Sequence, residues 1–228
     1  MSVKVVPTER WSAEYPGAMI GILGMRGLEN PDLDPALQGR ATQLEAQIRA
    51  RFAGSDRTML VATPTLSAYA SYYRRFGKTY HVQLQLESVL FKGRSIVGPS
   101  AIVQAMFMAE LKSQLLTAGH DLPAVQGGII VDVSLGSETY VSLGGRQLTL
   151  KAGDMFIRDQ EGILSSILHG PDQRTRITSD TRAVVFTTYV PPGIPEAVLR
   201  THLADLEANV RLFSPGAEVE TCEVVVAA

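Results

Sequence analysis

The run "GGIIVDVSLGSETYVSLGGRQLTLKAGDMFIRD" (Gly127–Asp159) decides the fold. Within it, "GGIIVDVSLG", "ETYVSLGG", "RQLTLKAGD" and "MFIRD" hold short apolar or alternating stretches, each closed by glycine or aspartate. Short strands joined by tight turns produce this pattern, as in a meander or barrel. Downstream, "GILSSIL" and "RAVVFTTYV" read as two more strands. "PPGIP" then breaks the chain before an amphipathic helix carrying Leu199, Leu203, Leu206 and Val210, and "VETCEVVVA" reads as a terminal strand.

Upstream of Gly127 the periodicity is mainly helical. "GAMIGILGMRG" (Gly17–Gly27) is a buried strand framed by glycines. "DPALQGRATQLEAQIRARF" opens with Asp34 as cap and Pro35 at the first helical position. Leu37, Leu44, Ile48 and Phe52 share one face of it, and Glu45 can pair with Arg49 one turn on. "TLSAYASYYRRFG" carries Leu66, Tyr69, Tyr73 and Phe76 in a stripe with Gly77 as stop signal. Further helices are expected around "LQLESVLFKG" and over "SAIVQAMFMAELKSQLLTAG", from near Ser100 to Gly119. No linker interrupts this order, so the chain reads as one α+β domain over residues 1–228. Its β core lies in the second half, and helices from the first half and the C-terminus pack around it.

The 228 residues suffice for one sizeable core. A net charge of −2 gives no overall field to attract nucleic acid, which leaves only a local basic patch for that purpose. A single cysteine, Cys222, permits no internal disulfide and suits a reducing cytoplasm. The N-terminus lacks a signal-peptide apolar region, and no run approaches the roughly 20 apolar residues that cross a bilayer. No membrane association is therefore expected. The sequence has no glycine-rich dinucleotide or phosphate loop, no nucleophile elbow and no paired-histidine metal motif. Its four histidines, 81, 120, 169 and 202, fall in four different elements, so neither a metal nor another cofactor is expected. His202 reads as a helix-surface residue. The tyrosines of "YASYYRRF" read as core before they read as a base-stacking platform.

One polar stretch stands out from this apolar background: "LHGPDQRTRITSDTRAVVF" (Leu168–Phe186). Together with "AGHDLPAVQGGIIVDVSLGSETYVSLGG" and "KAGDMFIRD" it resembles the B3/B4 domain of the phenylalanyl-tRNA synthetase β subunit. It is closer still to stand-alone proteins built from that domain alone. "YRRFG" and "KGRSI" fit the same pattern, so the resemblance covers about residues 15–213. It implies a closed, six-stranded, Greek-key-like β-barrel decorated with helices. It also implies an editing site, where tyrosine wrongly attached to the phenylalanine tRNA is hydrolysed. By this likeness, Ala118–Gly128 and His169–Thr178 are the two walls of an amino-acid pocket.

Several positions depart from the family pattern. Ala118 stands where the synthetase has a histidine, Gln173 where a carboxylate recognises the tyrosine hydroxyl, and Gln104 and Phe107 where it has aspartate and asparagine. Ester hydrolysis needs a positioned water, a proton relay and oxyanion donors. His120 or His169 would be the catalytic relay, and the backbone N–H groups near Gly127 and Gly128 the donors. Asp121, Asp172, Gln173 and Arg174 would contact substrate. Each has a structural alternative: Asp121 a turn cap, "GPDQRT" a polar hairpin rim, Arg174 a surface salt bridge. The implied partner is tRNA, aminoacyl-tRNA or a small amino-acid-like ligand. Three readings follow: a trans-editing aminoacyl-tRNA hydrolase, a non-catalytic amino-acid-binding module, and a tRNA-binding accessory protein. The lack of ATP-binding motifs and the length exclude a complete synthetase.

Overall fold

A computed structural model describes residues 3–228. In chain order the elements are β1 (Val5–Pro7), α1 (Glu9–Glu14), β2 (Met19–Arg26), α2 (Pro35–Arg51), α3 (Arg57–Val61), α4 (Pro64–Arg74), α5 (His81–Lys92) and α6 (Ala101–Ser113). There follow β3 (Leu116–Asp121), a 3₁₀ turn (Leu122–Ala124), β4 (Ile129–Val133), β5 (Thr139–Val141), β6 (Gln147–Thr149) and β7 (Met155–Arg158). The chain ends with β8 (Ile163–Ser166), β9 (Gly170–Pro171), β10 (Ala183–Val190), α7 (Glu196–Phe213) and β11 (Glu218–Val226). The fold is mixed α+β.

The helices begin where local chemistry predicts. Asp34 accepts the Leu37 N–H at 2.8 Å with Pro35 behind it, and Arg49 reaches Glu45 at 3.2 Å. Gly93 closes α5 in the left-handed conformation, with φ of 63°. The expected helix from Ser100 to Gly119 is corrected: it stops at Ser113. Gln114 takes a left-handed φ of 65°, and Leu116–Asp121 becomes a strand that pairs with β10. Local pattern favoured helix there, but the β10 edge offers this segment a full ladder of backbone hydrogen bonds.

The barrel expectation is also corrected. Three separate sheets form: a four-stranded sheet in the order β11-β2-β10-β3, a five-stranded sheet β1-β4-β7-β8-β9, and the hairpin β5-β6. None closes among the described residues. The five-stranded sheet ends on two-residue β9, and only an isolated bridge between Asp172 and Ser142 follows it toward the hairpin among the described residues.

β2 and β10 are buried almost throughout because both faces of their sheet are covered. Successive side chains show this directly. The Thr188 hydroxyl meets Thr117, which in turn bonds His202 of α7. Tyr189, one residue on, hydrogen-bonds Ser165 of β8 on the opposite face. His202 is therefore fully buried between sheet and helix, not at a helix surface as its sequence setting implied. The α7 helix seats closely because β2 has Gly21 beneath it: a methyl there would lie 2.6 Å from the Leu199 Cδ1. Tyr69, Tyr72, Tyr73 and Tyr80 are core residues, and the Tyr69 and Tyr80 rings stack at 4.2 Å. Among the described residues, no helix is long and apolar enough to cross a membrane.

Candidate functional site

A cavity of about 340 Å³ opens between α5, α6, the start of β3, β8–β9 and the segment leading to β10. Its construction starts with helical spacing. Val103, Met106, Phe107 and Glu110 occupy i, i+3, i+4 and i+7 of α6 and so present one stripe to it. Gly119, Leu143, Pro171 and Ile177 contribute to the rest of the lining. A methyl on Gly119 would lie 2.7 Å from the Ile177 Cδ1 and 3.4 Å from the Met106 Sδ, so glycine keeps this space open.

Polar groups are few. Glu110 is 3% exposed, and its Oε1 accepts the Thr117 N–H at 2.7 Å. Burial pushes its carboxyl up to about 8. His81 hydrogen-bonds through Nδ1 with the Tyr73 hydroxyl at 3.2 Å, and burial with the nearby Lys78 charge pushes it down to about 4. Gln85, Thr117, Ser166, Arg176 and Tyr189 are the other polar residues of the lining. A largely apolar hollow with a few converging polar groups is the usual form of a small-molecule site.

The eight residues singled out from sequence occupy other ground. His120 lies on β3 next to Gly119, and strand alternation turns its ring to the other face. There its Nδ1 meets the Thr175 hydroxyl at 2.8 Å, and that hydroxyl makes a very short bond to the Asp172 carboxylate. Because Thr175 donates to Asp172, it accepts from His120, which fixes the Nδ1–H tautomer. The buried Nε2 is then a lone pair without a partner among the described residues. Burial, with the Arg174 charge adding to it, pushes His120 down to about 3, so the ring is neutral across the physiological range.

Arg174 binds Asp159 through Nη2 at 2.9 Å to both carboxylate oxygens, and donates to the Ala124 carbonyl at 2.7 Å. Asp159 also accepts the N–H groups of Gln126, Glu161 and Gly162, which hold its carboxyl below the usual range despite burial. Asp121 donates its N–H to the Thr175 carbonyl at 2.7 Å and precedes the 3₁₀ turn without a side-chain cap bond. Gln173 is exposed and attached through its backbone N–H to Val141. His169 is half-buried with its Nδ1 3.3 Å from the Lys78 Nζ; burial, then Lys78, lowers its pKa. Gly127 has φ of 76° beside the Gln160 side chain, and Gly128 lies against the Lys4 carbonyl. None of the eight lines the cavity.

Both predicted wall segments contribute lining residues to the cavity, none of them among the eight. Ala118 and Gly119 face Gly170, Pro171, Arg176 and Ile177 across the hollow. Phe107 and Ala118, two of the positions that depart from the family pattern, line the cavity, whereas Glu110 and His81 carry no such mark in the sequence. The one available signal was a lone acid in the apolar helix "AIVQAMFMAELK". Among the described residues, no three histidine, cysteine, aspartate or glutamate side chains gather as a metal would require.

The molecule is thus an α+β protein with open sheets and a largely apolar, acid-containing cavity between a helix pair and a sheet edge. The family model described as the B3/4 domain matches residues 68–205, and the chain belongs to that family. Every residue lining the cavity lies inside this segment. The chain is similar to the phenylalanine–tRNA ligase β subunit of Tropheryma whipplei (strain Twist), with 34% identity over 68 residues. That match covers 29% of this chain and 7% of the relative. A solved N-terminal fragment of the phenylalanyl-tRNA synthetase β subunit from Pyrococcus horikoshii shares the fold. The TM-score is 0.51 at 15% identity, over 96% of this chain and 50% of that one. The chain thus spans at most half the length of these relatives.

Proposed function

We propose that this B3/4-family protein serves aminoacyl-tRNA chemistry by recognising an amino acid, free or as its tRNA ester, in the cavity beneath α6. The cavity carries the reading: its volume, apolar stripe and sparse polar lining suit one amino-acid side chain and head group. Its location within the family segment, and the identity of the relatives, support the tRNA context.

Recognition without cleavage is favoured over hydrolysis by one observation: His120 and His169 lie outside the cavity, and a buried imidazole held near 3 takes no proton at neutral pH. The test is to incubate the protein with a panel of charged tRNAs, tyrosine on phenylalanine tRNA included. Ester loss, protection of the ester, and binding of the free amino acids are followed together. Protection or amino-acid binding without ester loss is the expected result. Rapid loss of one ester would make the protein a trans-editing hydrolase and name its substrate. Affinity for deacylated tRNA alone, falling steeply with salt, would instead leave a tRNA-binding accessory protein.

A further inference from the structure

The inference concerns the Glu110 carboxyl, and it rests on the amino-acid reading of the cavity given above. Glu110 ends the α6 stripe and is the acidic side chain among the cavity-lining residues. Its Oε1 is engaged by the Thr117 N–H, whereas Oε2 has no hydrogen-bond partner among the described residues. A carboxyl this deeply buried ordinarily has its second oxygen satisfied as well. We propose that Glu110 is the anchor for a ligand's primary ammonium, that the apolar body lies along Val103, Met106 and Phe107, and that Arg176 meets the carboxyl or ester end.

The charges around Glu110 support this assignment. On α5, His81 is neutral at pH 7, and on α7 so is His202, pushed down to about 3 by burial. The phenols of Tyr69, Tyr73, Tyr80 and Tyr189 are all raised by burial and stay protonated. Arg176 is exposed, and its Nη1 donates to the Gln173 carbonyl, leaving further guanidinium N–H groups for a ligand. Lys112, on the α6 helix itself, is paired with Asp205 at 2.6 Å. Among the described residues no cation of the wall pairs with Glu110, so a ligand's ammonium would be the counter-charge of its ionised form.

Protons must balance in this event. The free protein holds Glu110 mainly as the neutral acid at pH 7. An incoming ammonium stabilises the carboxylate and drives its proton into solvent. Binding therefore releases close to one proton, and the ammonium carries its own protons unchanged into the complex.

The measurement is titration calorimetry of the full chain with L-leucine, L-methionine and L-phenylalanine, in two buffers of different ionisation enthalpy at pH 7. Their deaminated carboxylic acids serve as controls. The expected result is release of most of a proton with the amino acids and none with the deaminated acids, which bind at least tenfold more weakly. Glu110→Gln keeps the Thr117 contact and the side-chain volume but cannot ionise. It is expected to abolish proton release and to weaken amino-acid binding at least tenfold. Wild-type binding without proton release, or equal affinity for the deaminated acids, overturns the anchor while leaving the cavity reading intact, and needs no variant. If no amino acid and no charged tRNA binds, the cavity reading falls, and the anchor with it.

Discussion

The segment from His169 to Thr178 has two sides that work in opposite ways. Toward β7 and the 3₁₀ turn it is tied by charge and hydrogen bonds: Arg174 to Asp159 and Ala124, Asp172 to Thr175, Thr175 to His120. Toward α6 it offers the backbone of Gly170 and Pro171 and the apolar Ile177 to an open hollow. The side rich in catalytic-looking residues pairs mostly with itself, the buried His120 Nε2 excepted, and the side available to a ligand looks in sequence like core. Polar side chains with partners hold the wall in place. The unpartnered oxygen of Glu110, in an otherwise apolar helix, is where a ligand would add most.

The sharpest way to break this contrast is Asp159→Ala. Asp159 is buried and accepts three backbone N–H groups besides Arg174, so removing it strands several donors at once. The expected loss of stability is about 3 kcal/mol or more by chemical denaturation. Amino-acid affinity per folded molecule should change less than threefold. A large change in affinity with intact stability would place the polar side in the binding site after all.

Stability against pH separates the cavity acid from the polar network next. Glu110 is raised from 4.5 to about 8, so the folded state holds a proton there that the unfolded state has lost. Its contribution is fully present below about 4.5 and is lost as pH rises toward 8, at up to about 1.4 kcal/mol per pH unit. Asp154, raised to about 7 by burial, acts in the same direction between 3.8 and 7. His120 and His202, pushed down to about 3, act oppositely: their contribution is present above 6.5 and lost as pH falls toward 3. Glu110→Gln should therefore flatten the decline across the window from pH 4.5 to 8 while leaving the limb below about pH 4.5 unchanged. Superimposable profiles for wild type and variant would show that Glu110 is not held protonated.

How much of this was legible in the sequence follows the same division. Strand and helix identities came through wherever period and caps agreed, as at Asp34–Pro35, Gly93 and the buried "GAMIGILGMRG" strand. The run after Ser113 misled because Leu115, Leu116 and Ala118 suit a helix locally. A left-handed Gln114 and pairing with β10, 63 or more residues away, decided otherwise. Sheet closure was illegible because it depends on which strands end at an edge, and a two-residue β9 leaves no local trace. For the site, the resemblance pointed to two chain segments and to Phe107 and Ala118, all of which contribute to the cavity lining, while Glu110 and His81 left no such mark. Sequence marks His120, Asp172 and Arg174 as chemical. Only three-dimensional pairing shows that they partner one another and that Glu110 keeps a free oxygen.

Gly119→Ala tests the cavity side alone. The added methyl would lie 2.7 Å from the Ile177 Cδ1, at the flexible end of that side chain, and 3.4 Å from Met106. Ile177 has room to yield toward the hollow, so the cost in stability is about 1 kcal/mol. The yielding narrows the hollow, and amino-acid affinity is expected to fall about tenfold, equivalent to about 1.4 kcal/mol. Unchanged affinity would mean that ligand binds elsewhere.

The smallest expected effect is at Gln173, and it decides whether family position or local geometry governs recognition. By resemblance, Gln173 replaces a carboxylate that reads a tyrosine hydroxyl. In the fold it is exposed, its N–H goes to Val141, its carbonyl takes Arg176, and its side chain lies outside the cavity lining. Both backbone contacts survive truncation, so Gln173→Ala should shift stability by less than about 0.5 kcal/mol and amino-acid affinity by less than twofold. The same holds for preference between tyrosine and phenylalanine, measured by competition. A selective loss of tyrosine binding would mean that the 169–178 segment rotates on ligand binding to bring Gln173 inward. The contrast between its two sides would then belong to the empty protein alone.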